Sequence, residues 1–346
     1  MNNEKDFIQF ETPEKNCWET HNDLMTLLPK VVIGKSKGSI GRYGFFQLLA
    51  QKCEIKMPFR PFGEWTHGWS WDERPNSELF GFSKLRRNIP IVVCNKTEQQ
   101  AFKNEGFTNI HIGGLPFAYV KKQHKLRNPH SLLAFPPHST ENLYLINQQF
   151  EYLDFLASLR NDFDGIYVSI FGHDWGGDLH EAAKRRGLKT VLGAHPNDLN
   201  SLYRTRSLFD AFSVVTSNTM GSHFIYALSA DCHFSLSGPK YSYNEELPVA
   251  TDTTKTAKNK LLEIYSEEYL RPRFRNFYHD HPSSGIKDFD FGKSEVGVGN
   301  KLSTYSIRKI LGLSMYGQFR GASRGVKNKM VGGISKLLDR NLGTLP

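Results

Sequence analysis

Short apolar runs alternate with amphipathic stretches along most of the chain, and this alternation predicts its secondary structure. An apolar run at residues 31–33 precedes a glycine-rich turn, and an apolar helical pattern follows at residues 43–49. Strand, turn and helix in this order are typical of an α/β unit. The glycine spacing matches neither a dinucleotide fingerprint nor a phosphate-binding loop. We therefore interpret the turn either as facing a ligand or as a chain reversal.

The same alternation continues to about residue 236. Strands that alternate with helices imply parallel sheets, so the predicted fold class is α/β with two Rossmann-like domains. The predicted strands are residues 31–33, 89–94, 110–112, 132–135, 165–171, 189–192, 213–215 and 232–236. The predicted helices are residues 43–49, 97–105, 142–160, 179–186 and 223–229.

A polar, basic stretch at residues 121–129 has little to bury, and we place a domain boundary there. A chain of 346 residues is long enough for two domains of ordinary size. The predicted division is a polar lead-in at 1–28, α/β domains at 29–125 and 126–250, and a helical, basic extension at 251–346.

The composition is that of a globular protein, with 39% hydrophobic and 23% charged residues. The first residues lack the basic-then-apolar order of a signal peptide, and no run of about 18 apolar residues could cross a membrane. The cysteines are far apart and form no CxxC pair: Cys17, Cys53, Cys94 and Cys232. We therefore expect a cytoplasmic location without structural disulfides.

The net charge of +9 is concentrated at the end of the chain, where residues 301–346 hold nine Lys or Arg and only Asp339 as an acidic residue. Residues 301–340 mix these cations with Leu, Ile, Met and Tyr, which predicts either binding to an anionic membrane surface or a helix that packs back on the body. A nucleic-acid binder would interleave basic and aromatic residues across the body. That pattern is not found, so no nucleic-acid partner is expected.

Ligands of open α/β sheets bind beyond the carboxyl ends of the strands. Four polar loops are predicted at that edge: residues 136–140, 172–177, 195–198 and 216–222. In the last loop, Ser217, Asn218 and Thr219 predict an N-cap for a helix whose first N–H groups attract a phosphate. Gly221 would let the anion approach closely, and Ser222 would add a hydroxyl.

His138, His173 and His195 fall on these loops, where an imidazole can donate a hydrogen bond to a phosphate. A zinc site would be the alternative, but none of these three histidines belongs to an HxH or HxxxH pairing, and neither DxD string is placed to hold a metal. We predict no metal site and no cofactor. The predicted phosphate-binding residues are His138, Ser139, Thr140, His195, Ser217, Asn218, Thr219 and Ser222.

Residues 64–73 contain three tryptophans around a histidine, an arrangement that fits either a sugar-stacking acceptor site or anchors of the core. A histidine in such a loop can act as a general base. The best candidate is His67, with Asp72 or Glu64 behind it. The tryptophans are Trp65, Trp69 and Trp71.

At residues 67–69, 112–119, 135–140 and 216–223, the chain resembles a family of bacterial surface-polysaccharide proteins with a GT-B-like build. The His195-Pro196 pair and the cluster at residues 217–219 are similar to the HP and Ser/Thr motifs of bacterial sialyltransferases and related CMP-sugar enzymes. In those families the histidine and hydroxyls hold the nucleotide phosphate. The chain departs from them because no Asp/Glu-Asp-Gly base motif precedes the HP pair.

The resemblance implies a GT-B-like, metal-independent glycosyltransferase that moves a sugar from a nucleotide-sugar donor to a growing bacterial surface glycan (capsule, O-antigen or lipooligosaccharide). Residues 29–125 would then face the glycan or lipid-linked glycan acceptor, and residues 126–250 would bind the donor. A cytoplasmic protein at the inner membrane face fits this role. Two alternatives are a polyol-phosphate transferase with a CDP-linked donor and a non-catalytic polysaccharide-assembly protein with a GT-B-like fold.

Overall fold

Two parallel sheets organise the residues that the computed structural model describes, which are 17–35, 38–55, 61–73, 75–78, 80–139, 147–241 and 255–313. The first sheet has three strands in chain order: β1 (Glu64–Trp65), β2 (Ile91–Val93) and β3 (Ile110–Ile112). The second has five: β4 (Asn128–Phe135), β5 (Gly165–Ile170), β6 (Lys189–Leu192), β7 (Phe212–Ser217) and β8 (His233–Leu236). The predicted α/β class with parallel sheets is confirmed.

Helices connect these strands and continue after the second sheet. Those before β4 are α1 (His21–Leu27), α2 (Gly38–Gly41), α3 (Phe45–Lys52) and α4 (Lys96–Asn104). Those between β4 and β8 are α5 (Asn147–Ser158), α6 (Asp178–Arg185), α7 (Ser201–Ala211) and α8 (Ser222–Ser229). The last four are α9 (Lys255–Tyr265), α10 (Glu267–Phe274), α11 (Phe289–Val296) and α12 (Thr304–Ile310).

The second sheet has the order β6-β5-β4-β7-β8, so the chain changes direction across the sheet between β4 and β7. All six residues of β5 are buried, which explains its uninterrupted apolar sequence. At this switch point β4 and β7 stay paired up to Phe135 and Ser217, and ligands of such sheets bind in the crevice beyond these carboxyl ends.

The predicted strand at residues 31–33 is wrong. Val31, Val32 and Ile33 are 41%, 45% and 62% exposed, and a single bridge from Ile33 to Asp198 replaces the ladder of a strand. The first sheet instead begins at β1, whose two residues are too few to produce a periodic pattern.

Helix α7 was not predicted from the sequence. Its buried positions include Arg204, Ser207 and Asp210 beside apolar residues, so the buried face does not appear as an apolar stripe. The Arg204 guanidinium donates to the carbonyl of Leu192 (3.1 Å), and Asp210 pairs with Arg206 one turn earlier. Polar groups, most of them hydrogen-bonded or paired, therefore take the place of apolar ones on this face, although Arg204 Nε and Ser207 Oγ have no hydrogen-bond partner among the described residues.

One continuous core joins both sheets, because Trp65 of the first sheet and Leu133 of the second belong to the same buried cluster. The described end of the predicted polar lead-in also reaches this core. Trp18 is 2% exposed, and its indole N–H donates to the Ala211 carbonyl (2.7 Å). Residues 1–16 lie outside the described part. The predicted domain boundaries stay a prediction. The basic stretch at 121–129, where one boundary was placed, is partly structured, because β4 begins at Asn128 within it.

After α11 the chain returns from the second sheet to the first. The Leu115 N–H donates to the Val296 carbonyl (2.9 Å), and the Leu302 N–H donates to the Tyr119 hydroxyl (2.8 Å). In and after α12, Ile307 and Leu311 are completely buried. Residues 301–313 of the predicted membrane surface thus pack on the body, while residues 314–340 lie outside the described residues. Across the described ranges, no helix is long and apolar enough to cross a membrane.

Candidate functional site

A cleft of about 620 Å³ lies at the carboxyl edge of the second sheet, where the loops of the first sheet face it. One wall comes from the residues that follow β4, β6 and β7. The opposite wall comes from residues 42–43 and from residues 67–69 and 71 after β1, and Leu261 and Tyr265 of α9 also contribute. The cleft therefore draws on both sheets, and its larger part is the switch-point crevice.

Four of the residues predicted for the site line this cleft: His67, His138, Thr219 and Ser222. They come from the two sides, because His67 follows β1 whereas the others follow β4 and β7. The two sides are in contact, since the Ser222 hydroxyl accepts a hydrogen bond from the Trp69 N–H (2.9 Å).

Ser217 and Asn218 do not line the cleft. Ser217 is completely buried, and its hydroxyl donates to the Phe135 carbonyl (2.6 Å), tying the end of β7 to β4. The Asn218 amide donates to the Pro239 carbonyl (2.7 Å), and this residue lines a second cavity next to the first.

Ser139 and His195 are also directed to neighbouring loops. The Ser139 N–H donates to the Asp174 carboxylate (2.9 Å), and His195 Nδ1 accepts from the Asn197 N–H (3.0 Å). These contacts shape the loops behind the cleft. Thr140, the remaining predicted residue, lies outside the described residues.

Helix α8 begins at the cleft with an open N-terminus. Its N-cap residue is Gly221 in extended conformation (φ 178°), and no side chain caps it among the described residues. The sequence had predicted the cap at Ser217, Asn218 and Thr219; these residues instead end β7 and lead to the helix. The Phe224 N–H donates to the Gly221 carbonyl (3.0 Å), whereas the N–H groups of Ser222 and His223 remain available for an anion, with the positive end of the helix dipole behind them.

Arg42 adds a cation to the opposite wall. Its side chain is exposed and lines the cleft, and among the described residues no hydrogen bond or ion pair engages its guanidinium. The next residue, Tyr43, also lines the cleft and takes a left-handed conformation (φ 59°), which its N–H supports by donating to the Pro196 carbonyl (2.8 Å). The residues directly after the glycine-rich turn therefore reach the cleft, whereas the described residues of the turn, 34–35 and 38–41, do not line it. The glycines of the turn were the available sequence signal, and Arg42 itself was missed.

His67 is held as a neutral imidazole. Burial lowers its pKa to about 4, the nearby Arg42 guanidinium adds to this effect, and a hydrogen bond with the Trp65 backbone opposes it. Its ring lies 5.6 Å from the Tyr43 ring, and its carbonyl accepts from the Tyr226 hydroxyl (3.2 Å). A neutral imidazole in the cleft can accept a proton from a substrate hydroxyl.

Neither of the other base candidates lines the cleft. The Asp72 carboxylate is buried and pairs with the Lys260 ammonium (3.1 Å). Glu64 accepts from both the N–H and the hydroxyl of Ser39 (2.9 and 2.6 Å), which fixes the turn before Arg42. Of the three predicted candidates, His67 alone is placed to meet a substrate.

The three tryptophans have different environments. Trp65 is completely buried and belongs to the core. Trp69 is 6% exposed, and its indole donates to the Glu295 carboxylate (2.8 Å), so its role is mainly structural. Trp71 is half-buried and lines the cleft, with its ring edge-on to that of Tyr265 (4.9 Å). Trp71 and Tyr265 thus give the cleft an aromatic wall.

His138 and His223 both expose a neutral ring to the cleft. His138 Nδ1 donates to the Ser139 carbonyl (3.0 Å), and His223 Nε2 donates to the Thr219 carbonyl (3.2 Å). Because a carbonyl can only accept, each ring keeps an unprotonated nitrogen as an acceptor when neutral. Burial lowers the pKa of His223 to about 3. The neutral rings are therefore suited to accept from hydroxyl groups rather than to donate to phosphate.

A site for a metal ion is not formed by the described residues, where no group of three or more His, Cys, Asp or Glu side chains comes together. Among the residues that the structure describes, the polar groups that converge on the cleft are an uncapped helix N-terminus, one guanidinium, hydroxyls and neutral imidazoles. Together they suit a ligand that carries both an anionic group and hydroxylated rings.

No protein-family model and no curated protein matches the sequence. Among solved structures, the chain is similar to TarM at 11% identity with a TM-score of 0.30, over 71% of this chain and 49% of TarM. The chain thus spans about half the length of TarM. A likeness this weak carries no argument about fold or activity, so the functional argument depends on the cleft.

Proposed function

We propose that the protein is a glycosyltransferase that moves a sugar from a nucleotide-sugar donor to a bacterial surface glycan. The observation that carries the proposal is that the open N-terminus of α8, Arg42 and His67 converge on one cleft between the two sheets. An anion site beside a neutral imidazole suits transfer from a phosphate-linked donor, because one group holds the phosphate and the other can take the acceptor proton.

The donor phosphate would lie at the first turn of α8. The free N–H groups and Thr219 would hold it from one wall, and Arg42 would approach from the other. As the bond from the sugar to the phosphate breaks, its electron pair passes to the phosphate oxygen. Fixed positive groups stabilise that growing charge at little reorganisation cost.

His67 would act on the acceptor. Its neutral ring takes the proton of the acceptor hydroxyl while the hydroxyl oxygen forms the new bond to the anomeric carbon of the sugar. A pKa of about 4 keeps the imidazole unprotonated throughout the neutral range. The aromatic wall of Trp71 and Tyr265 suits stacking against sugar or base rings.

Nucleotide binding and turnover test this proposal. Thermal shifts with UDP, GDP, CDP and CMP should identify the nucleotide, because a ligand that binds only the folded state raises its stability. With the matching nucleotide sugar, His67→Ala should lower turnover roughly 10²–10⁴-fold and preserve donor binding. Absence of any nucleotide-dependent shift in the wild type would refute the proposal. Release of CMP with a phosphorylated acceptor would identify polyol-phosphate transfer instead.

Membrane association is proposed for the basic residues beyond the described part. Six cations follow residue 313: Arg320, Arg324, Lys327, Lys329, Lys336 and Arg340. Each can contribute about 1 kcal/mol near an anionic leaflet. The full chain should co-sediment with vesicles containing phosphatidylserine in a salt-sensitive manner, and a chain ending at residue 313 should not. Equal sedimentation of the two proteins would contradict this role.

A further inference from the structure

A second cavity of about 350 Å³ adjoins the cleft at the carboxyl ends of β7 and β8. Residues 236–241 form one side of it, and α10 with the segment after it forms another. Thr219, Met220 and Tyr265 line both spaces, so the second cavity begins where the proposed phosphate position ends. Nothing in the function proposed above uses it.

Three of its lining residues carry a buried polar atom without a hydrogen-bond partner: Asn218 Oδ1, Ser237 Oγ and His279 Nε2. Asn218 and Ser237 are only 8% and 3% exposed. The hydrogen bond from the Asn218 amide to Pro239 leaves the Asn218 oxygen as an acceptor. Leaving such groups unpaired is unfavourable, and three of them among the residues around one cavity favour a ligand whose groups pair with them once the side chains turn toward it.

The charges at the rim of the cavity compensate one another. Lys240 and Arg271 both pair with Glu267, Arg271 at 2.6 Å, and Asp280 brings a second carboxylate to the lining. The cavity therefore lacks the surplus positive charge that the cleft has at Arg42. Phe155 and Tyr278 add aromatic surface to its walls. Neutral polar groups between aromatic side chains suit an uncharged, hydroxylated ring.

We propose that this cavity binds an uncharged sugar ring, an inference that rests on the proposed function and extends it. Ligand pockets span about 300–1,000 Å³, so a cavity of about 350 Å³ fits one ring rather than a whole nucleotide sugar. Sugar hydroxyls both donate and accept, which matches the three unpaired atoms. The ring belongs either to the donor sugar or to the acceptor glycan, because both meet the phosphate at the shared wall.

Ser237→Ala and the double variant with His279→Ala test the assignment in the full chain. The Ser237 hydroxyl has no partner, so its removal should leave the fold intact. Ser235→Ala is the matched control, because Ser235 lies two residues earlier on β8, bonds to Thr216 (3.0 Å) and does not line the cavity. Calorimetric titration would compare UDP, GDP, CDP and CMP, their sugar conjugates, and a neutral oligosaccharide.

The double variant should weaken binding of a sugar conjugate roughly tenfold relative to its bare nucleotide if the donor sugar occupies the cavity. If the acceptor sugar occupies it, oligosaccharide binding should weaken by a similar factor and nucleotide binding should not change. Equal weakening of bare nucleotide and conjugate would overturn the assignment, as would unchanged binding of every probe.

The two proposals can fail separately. Suppose that nucleotide binding depends on Arg42, but that Ser237→Ala leaves the affinity for sugar conjugates and oligosaccharides unchanged. This result would overturn only the cavity assignment. Oligosaccharide binding that depends on Ser237, in a protein that binds no nucleotide, would overturn only the proposed function. A wild type that binds none of the probes would overturn both.

Discussion

Replacing Arg42 by alanine should weaken nucleotide binding and preserve the fold. Among the described residues its guanidinium forms no hydrogen bond or ion pair, so the substitution breaks no polar contact of the folded protein. The free energy of unfolding should change by no more than about 0.5 kcal/mol, as for other surface positions. Any larger loss of affinity then reports on the ligand.

The size of that loss follows from the exposure of Arg42. A hydrogen bond to a charged group contributes about 1.5–3 kcal/mol, and solvent around an exposed guanidinium favours the lower end. Since about 1.4 kcal/mol is a factor of ten, the dissociation constant should rise at least roughly tenfold. Arg42→Lys should fall between wild type and Arg42→Ala, because it keeps the charge but loses the two-pronged geometry.

Isothermal titration calorimetry at low and high salt would measure the effect, with the nucleotide that gives the largest thermal shift. Arg186→Ala is the control, because Arg186 pairs with Asp154 (2.6 Å) and does not line the cleft. Removal of the Arg42 charge should also raise the pKa of His67, which proton NMR can follow. A folded Arg42→Ala protein with unchanged affinity would refute the anion site as we describe it.

Two further predictions concern stability. The pKa of His223 is about 3 in the folded protein, whereas in the unfolded chain this histidine takes up a proton below about pH 6.5. The free energy of unfolding should therefore decrease as the pH is lowered through this range. When the pH is lowered from 7 to 5, the free energy of unfolding measured with urea should decrease by about 2 kcal/mol less in His223→Asn than in wild type. Burial raises the pKa of Glu98 to about 7 and contributes in the opposite direction, but equally in both proteins. An equal decrease in the two proteins would contradict the low pKa of His223. Gly44→Ala should destabilise by more than about 3 kcal/mol, because a Cβ there would overlap the Leu199 carbonyl at a left-handed φ of 76°. Gly106→Ala is the control, because Gly106 also has a left-handed φ of 86° but an added Cβ there would have no atom within 4 Å; it should lower the free energy of unfolding by about 1 kcal/mol. A similar decrease for both variants would show that the structure relieves the overlap at Gly44.

The second sheet was predictable where its strands are buried and apolar. All six residues of β5 are buried, and its prediction differs by one residue. In β6 only the last two residues, Val191 and Leu192, are buried, and the prediction matches its bounds. The first sheet gave weaker signals. The predicted runs at residues 89–94 and 110–112 correspond to β2 and β3, but β1 has only two residues, and the three-residue apolar run at 31–33 predicts a strand although it lies on the surface.

Part of the cleft followed from parallel topology, which brings the loops after β4 and β7 to the same edge. That reasoning led to His138, Thr219 and Ser222. Topology alone does not predict which side chains of these loops point into the cleft. The Ser217 hydroxyl, for example, donates to the Phe135 carbonyl of β4, and Ser217 does not line the cleft. Arg42 could not be predicted either, because its place opposite α8 depends on how the two sheets pack.

The return of the chain to the first sheet has a consequence for synthesis. Ile307 and Leu311 complete a core that begins at Trp18, so the face of the first sheet that carries Trp65 and Val92 lacks part of its buried partners until nearly all of the described chain has left the ribosome, whereas the other face packs locally on α4. Nascent chains released early would keep apolar surface exposed beside β1 and Cys53. We expect such chains to bind chaperones and not to bind substrate. We expect the ability to bind a substrate to arise late in translation and in one step.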